Sequence, residues 1–276
     1  MKIKSFFIPM LMLFVVALTA CGGNKTETDS SQTTDKPEPV IEKYLTLDAT
    51  GDEKFSIRTF IIPKGYQVEF VDSAMPTDSN TILCVAAAFT KDDYFNYDKF
   101  DPILVANDYV TRGVYKKGYE CSISMTGGFA NSNGKHSFFK GKNNNLLKDA
   151  QRNNGSYFQQ NLAIYNGKIQ PKAAFSKENG RAQPYRFLCE LTTGDLAIVE
   201  VRNKPYHVAV RQALYKPARC TDSSITVKHA LYLDMGDWSN GWYRDSHYTY
   251  DINTDHKIDT IRQNNLQTNW IVVRKK

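Results

Sequence analysis

Past its first twenty residues the chain has no apolar run long enough to cross a bilayer as a helix, so no later segment anchors it by spanning. Its five histidines, at 136, 207, 229, 247 and 256, show no zinc-ligand spacing, which argues against a zinc enzyme. The stretch Thr126–Gly134 is rich in Gly and Asn but lacks the lysine and spacing of a phosphate-binding loop, and reads as a plain turn. No helix carries a basic stripe. The net charge of +6 is scattered, and Lys2 and Lys4 supply two of those charges, so nucleic acid is not the expected partner. No internal repeat and no composition break marks a second folded domain. Helical periodicity is also scarce. It is confined to Asn143–Asn153, with Leu146, Leu147 and Ala150 on one side, and to Val208–Tyr215.

What the sequence does have is aromatic and β-branched residues. With 16 Tyr, 15 Phe and 41% hydrophobic residues, the 276-residue chain can bury one sizeable core, and its composition favours strands. Tyr44–Leu47, Phe55–Ile62, Tyr66–Val71, Tyr185–Leu191, Leu196–Val201 and Trp270–Val273 all read as strands. Pro63-Lys-Gly65 and Thr193-Gly194-Asp195 supply turns between them, and Asn166-Gly167 reads as a tight hairpin turn. Tyr109–Ser124 suggests a hairpin around Lys116-Lys-Gly118. Thr81–Phe89 is a continuous apolar run whose small residues permit close backbone approach. The expectation is an α+β fold: a single strand-rich domain over residues 41–276, with a mixed or antiparallel sheet and a few helices.

The N-terminus reads as an address. A positive start and an apolar run from Phe6 to Leu18 form a signal segment over residues 1–20. It ends Leu18-Thr-Ala-Cys21, which resembles the lipobox of bacterial lipoproteins. That resemblance implies cleavage before Cys21, lipidation of that residue, and a protein held in the cell envelope facing the periplasm or the cell surface. Residues 21–40 are, after Cys21, mostly Gly, Asn, Thr, Ser, Asp, Glu, Lys and Pro and read as a disordered tether. An exported chain permits disulfides among Cys84, Cys121, Cys189 and Cys220, with three possible pairings, although Cys84 and Cys189 lie in apolar strands.

The stretch Leu231–Arg244 carries the most chemistry. An apolar strand delivers Asp234 into a loop containing Gly236, Asp237, Trp238, Ser239, Trp242 and Arg244. A strand that fixes an acid before a polar-aromatic loop is suited to gripping a sugar or sugar phosphate. The residues alone do not separate this from a strand ending in a turn, with Trp238 and Trp242 as core. Asp251, Asn253, Asp255 and Asp259 alternate like the start of a calcium loop. However, His256 stands where the loop needs glycine and Arg262 where it needs glutamate, so a polar hairpin is the favoured reading and no cofactor is expected.

Taken in order, Phe158-Gln-Gln160, Asn166-Gly-Lys168, Arg186, Gly194-Asp195-Leu196, Leu231-Tyr-Leu-Asp-Met-Gly236 and Arg262–Val273 resemble the phosphodiester glycosidase domain, the NAGPA family, from about Thr81 onward. Two motifs depart from the family pattern. Ala86-Ala-Ala-Phe89 stands for Asn-Gly-Gly-Phe, and Asp234-Met-Gly-Asp-Trp-Ser239 for Asp-Gly-Gly-Gly-Ser, so Asp234, Gly236 and Ser239 carry over. The resemblance implies hydrolysis of a sugar-1-phosphodiester or related envelope glycan. A phosphodiester leaves as a stable anion, so the acid that most glycosidases use to protonate the leaving group is largely dispensable. The site then needs a carboxylate as base or nucleophile, Asp234, and guanidinium groups for the phosphate, Arg186 and Arg244. Trp238 or Trp242 would stack on the sugar and Asp237 is a candidate second carboxylate. Two other readings stand beside this one: a non-catalytic glycan-binding lipoprotein on the same scaffold, in which Arg186 is only a structural ion pair, and a purely structural envelope protein.

Overall fold

The structure is a computed structural model that describes residues 40–47, 53–89, 105–120, 125–171, 183–204, 208–211, 224–234, 240–262 and 267–276. By its contacts the chain divides into Met1–Asp35 and Lys36–Lys276, and every described residue belongs to the second unit. The expected signal segment, Cys21 and most of the tether therefore lie outside the described residues. Among the described residues no helix is long and apolar enough to cross a membrane.

Three antiparallel sheets make up the fold. Numbered along the chain, the first sheet runs β1 (Val40–Leu47), β2 (Glu53–Ile61), β13 (Leu196–Lys204), β12 (Gln183–Leu191), β14 (Val227–Tyr232), β10 (Leu162–Tyr165) and β11 (Lys168–Ile169). The second runs β16 (Thr249–Asp251), β15 (Gly241–Arg244), β4 (Thr81–Ala86), β17 (Trp270–Lys275) and β3 (Tyr66–Val71). The third runs β6 (Val114–Lys116), β5 (Tyr109–Thr111), β9 (Ser156–Gln160), β7 (Gly127–Ser132) and β8 (Lys135–Lys140).

The three inner faces meet in one core. Phe60, Leu188, Ile198 and Leu231 come from the first sheet, Phe70, Val85 and Ile271 from the second, and Phe129, Phe138 and Phe158 from the third. The outer faces are covered as well. Ala209 and Val210, in a helical turn over 208–211, pack on Tyr185, Val199 and Tyr232. Ile258 and Ile261 cover Trp242, Trp270 and Val272. The helix α1 (Asn144–Arg152) lays Leu147 and Ala150 on Val110, Ala130 and Tyr157. Sheets with both faces covered read as apolar runs rather than clean alternation, which is why β4 looks continuous in the sequence.

This architecture corrects the α+β expectation. The protein is nearly all-β, and its nine-residue helix α1 serves as a cover for one sheet. The Asn143 side chain starts that helix by accepting from the amides of Asn145 and Leu146. Of the second expected helix, the turn 208–211 is present and the rest lies outside the described residues. The hairpin expected at Lys116-Lys-Gly118 instead turns at Arg112-Gly113, between β5 and β6. Thr126–Gly134, read as a turn, holds the buried strand β7. Its glycines serve close packing: a Cβ on Gly128 would meet the Phe139 ring and the Phe158 carbonyl at 2.3 Å. The single strand expected ahead of Asn166-Gly167 is two strands. β9 belongs to the third sheet and β10 to the first, and the chain changes sheets at Asn161. The turns at Pro63–Gly65, Asn166-Gly167 and Thr193–Asp195 stand where the sequence places them.

Phe158 is fully buried and stacks on Phe70 with ring centroids 4.7 Å apart. Truncating it to alanine is expected to cost roughly 3–5 kcal/mol, read as a lower urea midpoint at unchanged m-value.

Candidate functional site

Asp234 sits where strands of all three sheets end. After Tyr232 the chain stays tied to β12 through the Leu233 amide, which donates to the Arg186 carbonyl at 2.9 Å. The Asp234 amide then crosses to the second sheet and donates to the Ala87 carbonyl at 2.8 Å. Ala86, Ala87 and Ala88 have no side chain beyond Cβ, and this lets the two chain ends come together. Asn269 clamps Ala88 on both sides: its Oδ1 accepts from the Ala88 amide at 2.6 Å and its Nδ2 donates to the Ala88 carbonyl at 3.2 Å. From the third sheet, the Asn161 carbonyl accepts from the Tyr232 amide, and Thr126 Oγ1 donates to Asn161 Oδ1 at 2.7 Å.

The result is a buried polar zone built around Asp234, Gln160, Asn161, Gln267, Thr268 and Asn269. Gln160 Nε2 and Gln267 Oε1 are buried and make no hydrogen bond among the described residues. Buried amide groups with unspent hydrogen-bonding capacity are costly in a finished core and useful beside a polar ligand. Sequence reading missed these amides. Their one signal was that Gln160 and Asn161 interrupt an otherwise apolar stretch.

Arg186 is organised differently from the expectation. Cross-strand register sets Arg58 of β2, Glu200 of β13 and Arg186 of β12 side by side. Glu200 accepts from Arg186 Nη2 at 2.7 Å and Nε at 3.1 Å, from Arg58 Nη2 at 2.9 Å and from Arg202 Nε at 2.6 Å. The turn after β16 docks on this cluster. Asp255 pairs with Arg58 and accepts from the Tyr243 hydroxyl, Asn253 Oδ1 accepts from Arg186, and the Ile252 carbonyl accepts from Arg58 and Arg202. Burial works against ionisation of Glu200, but the guanidinium groups of Arg186, Arg58 and Arg202 outweigh it and hold its pKa at about 2. Burial lowers the pKa of Arg186, against the opposing pull of Glu200. Arg186 is thus a structural ion pair first. Its Nη1 alone makes no hydrogen bond among the described residues.

Other expected residues do not converge on Asp234. Trp242 is fully buried in the outer core of the second sheet, with its indole N–H on the Pro76 carbonyl, and offers no face to a sugar. Arg244 lies at the far end of β15, donates to the Asp78 and Thr81 carbonyls and covers the Trp242 ring. Gly236, Asp237, Trp238 and Ser239 lie outside the described residues. In the candidate calcium segment, Asp251 Oδ1 accepts from the amides of its own turn, at Asn253 and Thr254, and Asp259 is exposed. Among the described residues no group of three His, Cys, Asp or Glu is placed to hold a metal. Cys84 and Cys189 are free, and burial raises both thiol pKa values.

No family model matches the sequence, and no curated protein matches it. Solved structures do resemble the fold. The catalytic domain of zebrafish N-acetylglucosamine-1-phosphodiester alpha-N-acetylglucosaminidase (NAGPA), auto-inhibited by its pro-peptide, superposes with a TM-score of 0.54 over 88% of this chain and 85% of that one, at 11% identity. A hypothetical protein from Synechocystis gives a TM-score of 0.49 over 87% and 62%, at 10% identity. The chain therefore has a NAGPA-like fold.

Glu200 is the acid on which three arginines depend, so Glu200→Gln is expected to destabilise the protein by roughly 3–5 kcal/mol at neutral pH. The Glu200 pKa is depressed from its ordinary 4.5, so its contribution is present above that value and is lost as pH falls toward about 2. Denaturant titrations of both proteins should show the gap between them closing over that window.

Proposed function

We propose that this chain is an envelope lipoprotein hydrolase that cleaves a sugar-1-phosphodiester or related glycan, with Asp234 as base or nucleophile. The observation that carries the reading is the position of Asp234. It is a buried carboxylate at a junction of strand ends, among amide groups with spare hydrogen-bonding capacity, in a fold shared with the zebrafish catalytic domain. In the reaction a water oxygen attacks the anomeric carbon and Asp234 takes its proton. The bond from that carbon to the phosphate oxygen breaks and the phosphate monoester keeps the electron pair. Gln160 Nε2 can donate to the substrate and Gln267 Oε1 can accept from a sugar hydroxyl. Arg186 contributes one donor, Nη1, and the surplus positive charge of a cluster in which three arginines face two carboxylates. Fixed charge of this kind acts strongly in a site that excludes water. Gly236, Asp237, Trp238 and Ser239 are assigned to substrate binding on the sequence alone. Attachment to the membrane is assigned to lipid on Cys21.

The second reading is a glycan-binding lipoprotein without turnover. Two observations favour it: Arg186 already spends Nε and Nη2 on Glu200, and Ala86–Ala88 bring no polar side chain to the junction.

Purified protein incubated with a panel of sugar-1-phosphodiesters is expected to release free sugar. Asp234→Asn should reduce release by about three orders of magnitude or more while leaving the near-UV circular dichroism unchanged. Retained turnover in that variant would remove Asp234 from the mechanism. Saturable glycan binding by the wild type without release would favour the second reading. Cys21→Ser, expressed in a bacterial host, is expected to shift the protein from the membrane fraction to the soluble fraction.

A further inference from the structure

A second polar site lies at the opposite end of β3 and β17 from Asn269, roughly 16 Å along the strands. It is a cleft of about 320 Å³. Two hairpin turns and the end of α1 form its walls: Arg112-Gly113, Asn133-Gly134 and Asn153-Asn154. The Gly113 amide donates to the Gly155 carbonyl at 2.9 Å and fastens the first turn to the helix end. The floor is Gln67 and Glu69 of β3 and Arg274 of β17. Gln67, Asn131 and Gly134 are shared with an adjoining cleft of about 330 Å³, which Lys64, Asp195 and Lys276 also line.

Two features set this groove apart from ordinary surface. The first is hydrogen-bonding capacity left unused at its floor. Glu69 Oε1 accepts from Gln67 at 2.6 Å, but Glu69 Oε2 stands 3.6 Å from Arg274 Nε and 3.8 Å from Arg112 Nε, too far for a hydrogen bond. Both Glu69 Oε2 and Arg274 Nε are buried and make no hydrogen bond among the described residues. The second is Arg112 itself. Among the described residues three hairpins turn through two left-handed residues, and two of them use Asn-Gly, at 133–134 and 166–167. Asparagine tolerates that backbone. The third hairpin places Arg112 there, at φ +47°, where a long side chain costs about 1–2 kcal/mol. The turn gives up that stability and gains a guanidinium, more than half exposed, beside the cleft.

We propose that this groove binds an acidic oligosaccharide. The amides of Asn133 and Asn154 can both donate and accept, as hydroxyl groups require, while Gln67, Asn131 and Asn153 already donate to Glu69, Val68 and Asp149 and offer their side-chain oxygens as acceptors. Arg112 presents a fork suited to a carboxylate or phosphate substituent, and Arg274, held between Glu69 and Asp78 with its Nη2 donating to Asp78 at 3.4 Å, adds positive charge at the floor. Across both clefts Arg112, Arg274, Lys64 and Lys276 face Glu69 and Asp195, a positive surplus. The 320 Å³ cleft has no aromatic lining, so a nucleobase or a stacked apolar ligand has nothing to rest on there. The site is independent of any turnover at Asp234.

The full chain carrying Cys21→Ser is titrated calorimetrically with trigalacturonate, a phosphorylated disaccharide and neutral maltotriose. At least one acidic sugar is expected to bind tenfold or more tightly than maltotriose, and comparing the two acids identifies which substituent the groove prefers. Arg112→Asn places in the turn the residue already used at 133, so it should fold and melt at a temperature no lower than the parent. It should also weaken the acidic sugar by at least tenfold. Asp234→Asn should leave this binding unchanged, which separates the groove from the proposed catalytic site. Equal affinity for acidic and neutral sugars, or unaltered binding in Arg112→Asn, overturns the proposal.

Discussion

The fold closes around one buried carboxylate. Glu200 lies in the middle strand of a three-strand row, with Arg58 on one side and Arg186 on the other, and Arg202 reaches it from the rim. A charge taken out of water is costly unless partners satisfy it, and here both carboxylate oxygens are shared among guanidinium groups. The arginines have a further partner in the 252–255 turn, which they hold through Asp255, Asn253 and the Ile252 carbonyl. That turn follows β16 at the edge of the second sheet. The ionic cluster thus fixes how the first sheet meets the second, and the meeting of those sheets brings the Asp234 amide to Ala87.

The NAGPA-like fold supplies a scaffold, and the chemistry must come from what this sequence places on it. At the strand junction those contents are unusual. The alanine run carries no polar side chain, and Asn269, just before the last strand, bonds both the amide and the carbonyl of Ala88. The polar side chain at that point comes from the chain just before β17. The buried amides of Gln160 and Gln267 add unspent capacity. This differs from the arrangement expected from the chemistry, in which Arg186 and Arg244 hold the phosphate. One of those arginines is committed to Glu200 and the other to the far end of β15.

Strands and turns were legible in the sequence wherever local chemistry and tertiary packing agree. Tyr66–Val71 alternates because one face is more deeply buried than the other. Asn166-Gly167 announces its turn because both residues accept a left-handed backbone. Legibility failed where packing overrode local preference. Gly127 and Gly128 look like loop residues, yet they lie in a buried strand because the Phe139 ring and the Phe158 carbonyl leave no room for a side chain at Gly128. The hairpin at Arg112-Gly113 was hidden because arginine is a poor residue for that conformation, and Lys116-Lys-Gly118 gave a stronger false signal. Arg58, Glu200 and Arg186 could be seen as polar interruptions of apolar strands, but their pairing depends on register across strands distant in sequence. The α+β expectation gave too much weight to two short amphipathic segments, one of which only roofs a sheet.

The passage from β9 to β10 through Asn161 has a consequence for how the molecule opens. One uninterrupted segment, Ser156–Tyr165, is a central strand of the third sheet in its first half and an inner strand of the first sheet in its second. Neither sheet can peel away without pulling on the other. Slow amide exchange in these two layers should therefore occur through a shared, global event, and protected amides on both halves should report the same opening free energy.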